Sequence, residues 1–504
     1  RPVILQQVAL QIDGAGATDP AFLRIAEAAS RLQGTQLNHA AYETIRNDLL
    51  RTAATYGYVD ARLTTAELRV DPPAFSATAT LEFSTGPRYR FGATRIEQNA
   101  IDEPLLRRYL RYRQDEPFDA TDLLRTQFAL DDSQYFANVE VATEPPDRDN
   151  LLVPIAIKAE ANRRNRYSFG VGYGTDSGVR GTASWDNRRV NVRGHRFRIE
   201  GKAAQQQQSI ETRYQIPIGD PAIEKLSVQL NGRSEKDVGD LELRTLEIEP
   251  SVTQLRGRWQ RVSGISFGRT TTITRLPDLP DRRDIDSLII PSVSFVAVPQ
   301  GYLGEALYLR GTYLELRGST PALGAPASYL QGRVELERVF DLAPRWHLLL
   351  RGQIGASLVD SAQDLPGTER FFTGGDRSVR GFSYNDLSPV REVPELDAQG
   401  RPRLDADGRP IVTRVKVGGK HFVAATVELE YDLPRNLGIA AFVDSGNAFD
   451  KFGDPLAVAV GIGIRWRLPV VTLGIDIAKA IDAPRAPGES LPGARLHLNF
   501  APKF

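Results

Sequence analysis

One stretch gathers the residue types best suited to specific chemistry: Arg370-Phe371-Phe372-Thr373-Gly374-Gly375-Asp376-Arg377-Ser378-Val379-Arg380-Gly381-Phe382. It lies in the longest polar, turn-rich segment of the chain, with apolar/polar alternation on both sides. Gly374, Gly375 and Gly381 permit a tight, doubled-back loop with positive φ angles. Phe371, Phe372 and Phe382 can anchor such a loop to a wall. Arg380 is a rigid five-donor fork suited to bidentate pairing with carboxylates. Candidate carboxylates follow it in Glu428, Glu430 and Asp444. No enzymatic centre competes for attention. The chain has no cysteine, and His39, His195, His347, His421 and His497 have neither catalytic nor metal-ligand spacing. No catalytic residue, metal site or cofactor is assigned.

The elements that must position these groups are strands. From Arg166 onward, period-2 alternation dominates. Tyr167, Phe169, Val171 and Tyr173 alternate with Ser168, Gly170, Gly172 and Gly174, and Val458 to Leu468 alternates with Ala457 to Arg467. Roughly sixteen such segments, each of about ten residues, fill the last ~340 residues, between turn clusters such as Pro217–Pro221 and Pro277–Arg283. No run of about 18 apolar residues is present for a transmembrane helix. The pattern predicts a closed membrane barrel, apolar toward lipid and polar toward the lumen. In Phe422–Leu433 the residues Val423, Ala425, Val427, Leu429 and Tyr431 then face lipid, so Glu428 and Glu430 face inward. In Leu437–Gly446 the same parity turns Asp444 inward. Three carboxylates in a barrel interior need a cation. A loop folded back into the lumen would bring Arg380 to Asp444 and Glu430, with Glu428 as the alternative acid. Failing that, these acids line a wet pore.

The first 160 residues repeat at a period of about 80. Each copy reads β-α-α-β-β, a small two-layer α+β unit. In the first, Asn38 caps a helix whose apolar stripe is Tyr42, Ile45, Leu49 and Ala53. The second contains helical stretches at Glu103–Tyr112 and Asp119–Ser133. Such units serve either as spacers or as peptide-binding modules that accept a partner strand at a sheet edge. With 63 basic and 63 acidic residues, the chain is not built for nucleic acid. It begins at Arg1 without Met, as a processed or truncated form would.

At this point the residues match a family. Arg370–Phe382 resembles the sixth-loop motif of the Omp85 superfamily of outer-membrane assembly and translocation proteins. Phe442-Val443-Asp444-Ser445-Gly446 resembles its thirteenth-strand motif, and Val460–Pro469 with Thr472–Ala478 the signature of the next two strands. The α+β repeats resemble POTRA domains. Phe371–Phe382, Tyr167–Thr175 and Gly86–Gly92 look closest to the TamA branch, the outer-membrane subunit of the translocation and assembly module. The resemblance implies two periplasmic POTRA domains, 1–86 and 87–160, and a sixteen-stranded outer-membrane barrel, 161–504, with the long loop 359–420 folded inward. It also implies assembly and insertion of unfolded autotransporter and other β-barrel clients in the lipid bilayer, together with a periplasm-spanning TamB-like partner met through the POTRA domains. The runner-up is a two-partner secretion pore, which would carry a plug helix not visible in Arg1–Leu5. Proteins of the TamA branch usually have three POTRA domains; two are counted, so a first is expected to be removed or never present. Gln134 stands where the family often has Gly, and Ser383–Lys420 holds an inserted near-repeat, Leu396–Pro402 and Leu404–Pro410.

The first and last strands must meet without a connecting turn. Tyr167, Gly170, Gly172 and Gly174 belong to the first, and Leu496, Leu498, Phe500 and Phe504 to the last. Glycines weaken the one, and Pro502 cannot donate to a ladder in the other. This seam is the expected entry point for a client strand.

Overall fold

The computed structural model describes residues 2–502, except 175–177, 206, 239–240, 275–281, 298–311, 396–400, 406–407, 469–470 and 485–489. Phe504, the turn residues 277–281 and most of the Leu396–Pro402 repeat therefore lie outside the described residues, as does the side chain of Phe500. Two compact units are present, Arg1–Arg163 with Asn191–Gly194, and Arg164–Val190 with His195–Phe504.

The first unit holds both α+β repeats. In the first, β1 (Ile4–Asp13) leads through α1 (Pro20–Ser30) and α2 (His39–Thr55) to β2 (Arg62–Asp71) and β3 (Ser76–Ser84). Its sheet runs β1-β3-β2, with β1 parallel to β3. Asp19 and Asn38 cap the helices by accepting from Ala21 N at 2.9 Å and Ala40 N at 3.0 Å. The stripe Tyr42, Ile45, Leu49 and Ala53 packs with Phe22, Leu81 and Phe83 in a closed core. The second repeat has the same order: β4 (Arg90–Glu97), α3 (Glu103–Arg107), α4 (Ala120–Asp132), β5 (Phe136–Thr143) and β6 (Leu152–Ala161), with sheet order β4-β6-β5. Here α3 is shorter than the apolar spacing suggested. After Arg107 the chain tightens into turns, Arg108 N to Leu105 O and Tyr109 N to Leu106 O, which bury Tyr109 and Tyr112.

The second unit is a single antiparallel sheet of sixteen strands. They are β7 (Asn165–Gly174), β8 (Gly178–Asn187), β9 (Arg196–Ala204), β10 (Gln207–Pro217), β11 (Lys225–Val238), β12 (Leu241–Arg256), β13 (Trp259–Thr274), β14 (Arg282–Ala297), β15 (Thr312–Ser319), β16 (Tyr329–Ala343) and β17 (Trp346–Leu358). After the long loop, which carries its own hairpin β18 (Val390–Pro394) and β19 (Val412–Lys416), come β20 (His421–Leu433), β21 (Leu437–Phe449), β22 (Ala457–Arg467), β23 (Val471–Asp482) and β24 (Arg495–Pro502). Alternation puts Val427, Ile439, Val443, Ile462, Ile464, Ile475 and Ile477 on the exposed outer face. A soluble domain would not tolerate so continuous an apolar band, which suits lipid.

The sheet order runs from β24 through to β7, and among the described residues no ladder joins the two ends. Their Cα atoms nonetheless come within 8 Å of one another. Wall height also varies around the sheet. The strands β12, β13 and β14 have 16 residues each, whereas β24 has 8, β9 has 9 and β7 has 10.

Candidate functional site

The site forms where the long loop enters the barrel and lies on the inner faces of β20 to β24. Its stem is pinned at two levels. Phe371 and Gly419 exchange backbone hydrogen bonds at 2.9 and 2.8 Å, and Thr373 and Leu387 do so at 3.1 and 2.9 Å. Within the stem, Gly374 N donates to Ser378 Oγ at 2.9 Å, and Gly375 N to Val379 O at 3.2 Å. Phe371 packs on Phe422, with ring centroids 4.7 Å apart. Val379 and Phe382 are buried with Leu387 against Ala457, Ala459 and Ala480.

Small residues make this docking possible. Gly381 has φ +95°, and a Cβ added there would sit 3.2 Å from Ala459 Cβ and from Ala480 N. Backbone thus lies directly on sheet, and the inward positions of β22 and β23 supply the floor: Ala457, Ala459, Ala478 and Ala480 are at most 1% exposed. With φ +95° and contacts this tight, the seat favours glycine.

Arg380 points from this floor into a ring of acids. Its Nε and Nη2 donate to Asp444 Oδ2 and Oδ1 at 2.7 and 3.0 Å, a fork-to-fork pair, and its backbone N donates to Asp444 Oδ2 at 3.1 Å. Nη1 donates to Glu428 Oε2 at 2.8 Å and to Asp476 Oδ2 at 3.2 Å. The guanidinium carbon lies 3.2 Å from the centroid of the Phe442 ring, giving the cation an aromatic face. Gly461 leaves room for that ring, because a side chain there would run into it. Arg465 braces the acids from the other side, donating to Glu428 Oε1 at 2.8 Å and pairing with Asp476 Oδ1 at 2.5 Å. Asp444 has no exposure at all, and Arg380 is its only side-chain cation among the described ion pairs.

The other sequence-derived site residues fall as follows. Gly374, Gly375, Gly381 and Phe382 all belong to the docked motif, and Asp376 pairs with His497. Glu430 needs correction as a partner of Arg380. It pairs with Arg467 and, at 3.6 Å, with Arg465. Strand register is the reason. Asp444 stands opposite Thr426, one inward position from Glu428 and two from Glu430, so the fork that grips Asp444 reaches the nearer acid. Tyr167, Gly170, Gly172 and Gly174 lie on β7, and Leu496 and Leu498 on β24, at the two unladdered ends of the sheet.

Sequence reasoning missed Asp476, Arg465, Phe442 and His497. Parity could have found Arg465, which lies between lipid-facing Ile464 and Trp466, and two others. Asp476 lies between lipid-facing Ile475 and Ile477, as His497 lies between Leu496 and Leu498. The alanine floor carries no such signal, since alanine suits either face. The arrangement fastens a loop to a wall.

With this geometry in hand, residues 309–499 match the Omp85 superfamily domain. Outer membrane protein assembly factor BamA of Nitratidesulfovibrio vulgaris is 28% identical over 170 residues, 32% of this chain and 19% of that protein. The match thus spans about a fifth of the curated relative's length. The crystal structure of BamA from Haemophilus ducreyi lacking POTRA domains 1–3 superposes with a TM-score of 0.74 at 15% identity, covering 99% of this chain and 100% of that one. CdiB from Acinetobacter baumannii gives 0.52 at 13% identity, covering 99% of this chain and 90% of that one. These structural likenesses concern the fold. The residues that match the Omp85 superfamily domain include Arg380, its three acids and the strands that carry them.

Proposed function

We propose that this protein assembles and inserts other β-barrel proteins, autotransporters among them, by offering the gap between β7 and β24 to an incoming client strand. The observation that carries this reading is the sixteen-stranded sheet whose end strands lie side by side without a ladder among the described residues. A strand edge without a ladder is a ready template for strand addition. The Arg380 lock then keeps the rest of the wall rigid while one edge works. In this reading residues 1–86 and 87–160 are POTRA domains on the periplasmic side, which meet a TamB-like partner by strand addition, as in the TamA branch.

The test is a pair of cysteines on facing positions of β7 and β24, in a chain that otherwise has none. Oxidation should abolish client assembly, and reduction should restore it. A locked barrel that assembles clients at the normal rate overturns the reading. The second reading, a two-partner secretion pore, draws on the fold likeness to CdiB. Against it, the loop that carries Arg380 also brings Tyr384 beside Glu235 of β11 and so occupies the lumen. Low conductance in planar bilayers supports assembly, and a wide stable conductance supports the pore.

A further inference from the structure

We infer that the motif which locks the loop also latches the last strand, so that the seam is held shut from inside the barrel through His497. This rests on the seam reading above and adds a control element to it. His497 lies on β24 and is only 2% exposed, although Leu496 beside it is 47% exposed. Its Nε2 accepts from the backbone N of Gly381 at 2.9 Å, and its Nδ1 pairs with Asp376 Oδ1. One tautomer satisfies both bonds: with Nε2 accepting, Nδ1 carries the proton and donates it to the carboxylate. Two residues of a single loop therefore hold one ring of the terminal strand from opposite ends.

The position of that ring gives the contact its meaning. On one edge, β24 is laddered to β23 from Val471↔Pro502 to Ala478↔Arg495, and on the other edge no ladder is present among the described residues. The loop supplies an additional hold on β24, from within. Gly381 adjoins Arg380, which is fastened to Glu428, Asp444 and Asp476 on three further strands. Directly across the ladder from His497 stands Asp476, one of those acids. Moving β24 away from β7 with its ring therefore strains the lock, and loosening the lock frees β24. His497 is a positioning residue, and the seam and the loop motif form one mechanical unit.

The test reads the seam with no client present, in the full chain reconstituted in lipid nanodiscs. Val171→Cys on β7 and Leu496→Cys on β24, both at exposed positions in a cysteine-free background, carry spin labels for pulsed dipolar distance measurement. The parent should give one narrow distribution. His497→Ala should add a longer-distance population, raising the open-to-closed ratio roughly fivefold to tenfold, as the loss of one or two net hydrogen bonds would. Asp376→Ala, on the loop side and away from strand packing, should move the distribution in the same direction. His497→Gln, whose amide oxygen stands near the former Nε2 and can still accept from Gly381, should fall between. An unchanged distribution in His497→Ala overturns the latch. So does a widening in His497→Ala that Asp376→Ala does not share, since that would be a packing effect within β24. Should His497→Ala fail to fold, Asp376→Ala decides alone. Because no client takes part, these results stand apart from failure of the assembly reading, which the oxidised seam would reveal by continued assembly.

Discussion

Replacing Arg380 by alanine should damage the barrel through one residue more than any other. Glu428 and Asp476 each keep Arg465 at 2.8 and 2.5 Å. Asp444 keeps only the backbone N of residue 380, and only while the loop stays docked. A fully buried carboxylate stripped of its cation costs about 3–5 kcal/mol. Asp444→Asn in the intact loop should cost less, about 1.5–3 kcal/mol, because Arg380 retains Glu428 and Asp476. Combining the two removes the stranded charge, so the double variant should be more stable than the sum of the single losses predicts. A coupling of roughly 1–3 kcal/mol is expected for such neighbours. Arg380→Lys keeps the charge but not the fork, and should lie between wild type and alanine. The assay is reversible urea unfolding of the barrel refolded into lipid vesicles, followed by tryptophan emission, with the heat-dependent gel shift as a second probe. A coupling below about 0.5 kcal/mol refutes the claim that Asp444 carries the loss, because distant independent sites add to within that margin.

Two further predictions concern the α+β unit. Gln134 holds φ +57° just after α4, with its side chain exposed, so Gln134→Gly should relieve left-handed strain and stabilise this unit by about 1 kcal/mol, read as a higher midpoint in thermal melts. Burial, with a hydrogen bond to Asp19 Oδ2 at 3.0 Å, pushes the Tyr58 hydroxyl up to about 12. The unfolded tyrosine ionises first, so this contribution is complete below pH ~10 and fades as pH rises through the folded value. Tyr58→Phe should flatten the alkaline fall in stability; an unchanged slope between pH 10 and 12 would contradict that assignment.

Much of this was legible before any coordinates, for identifiable reasons. A barrel strand has two faces in strict alternation, so lipid-facing residues reveal lumen-facing ones, and Glu428, Glu430 and Asp444 were readable from Val427, Leu429 and Val443. Depth along the strand was harder. It depends on the register of β20 against β21, which the turn at Pro434, Arg435 and Asn436 fixes by pairing Leu433 with Leu437. Counting outward from that pair puts Thr426 opposite Asp444 and singles out Glu428. Without the turn length, either glutamate was admissible. His497 has no catalytic spacing to other histidines, and its information lies in parity within the last strand, between Leu496 and Leu498. In α3, buried tyrosines overrode an apolar spacing that read as a longer helix.

The sequence separations within the lock carry a consequence for how the protein is made. Arg380 reaches acids 48, 64 and 96 positions away, and Gly381 reaches an acceptor 116 positions away. Contacts of such span close late, after nearer pairings have formed. Arg380 and Gly381 are synthesised before every strand they grip, and they have no complete seat until β24 has been made and laddered to β23. A nascent or clipped chain ending after β23 would hold Arg380 on its acids yet leave the amide of Gly381 without its imidazole acceptor. Occupancy of that last bond therefore distinguishes a finished barrel from an unfinished one, and protease sensitivity at Gly374–Phe382 should mark the difference.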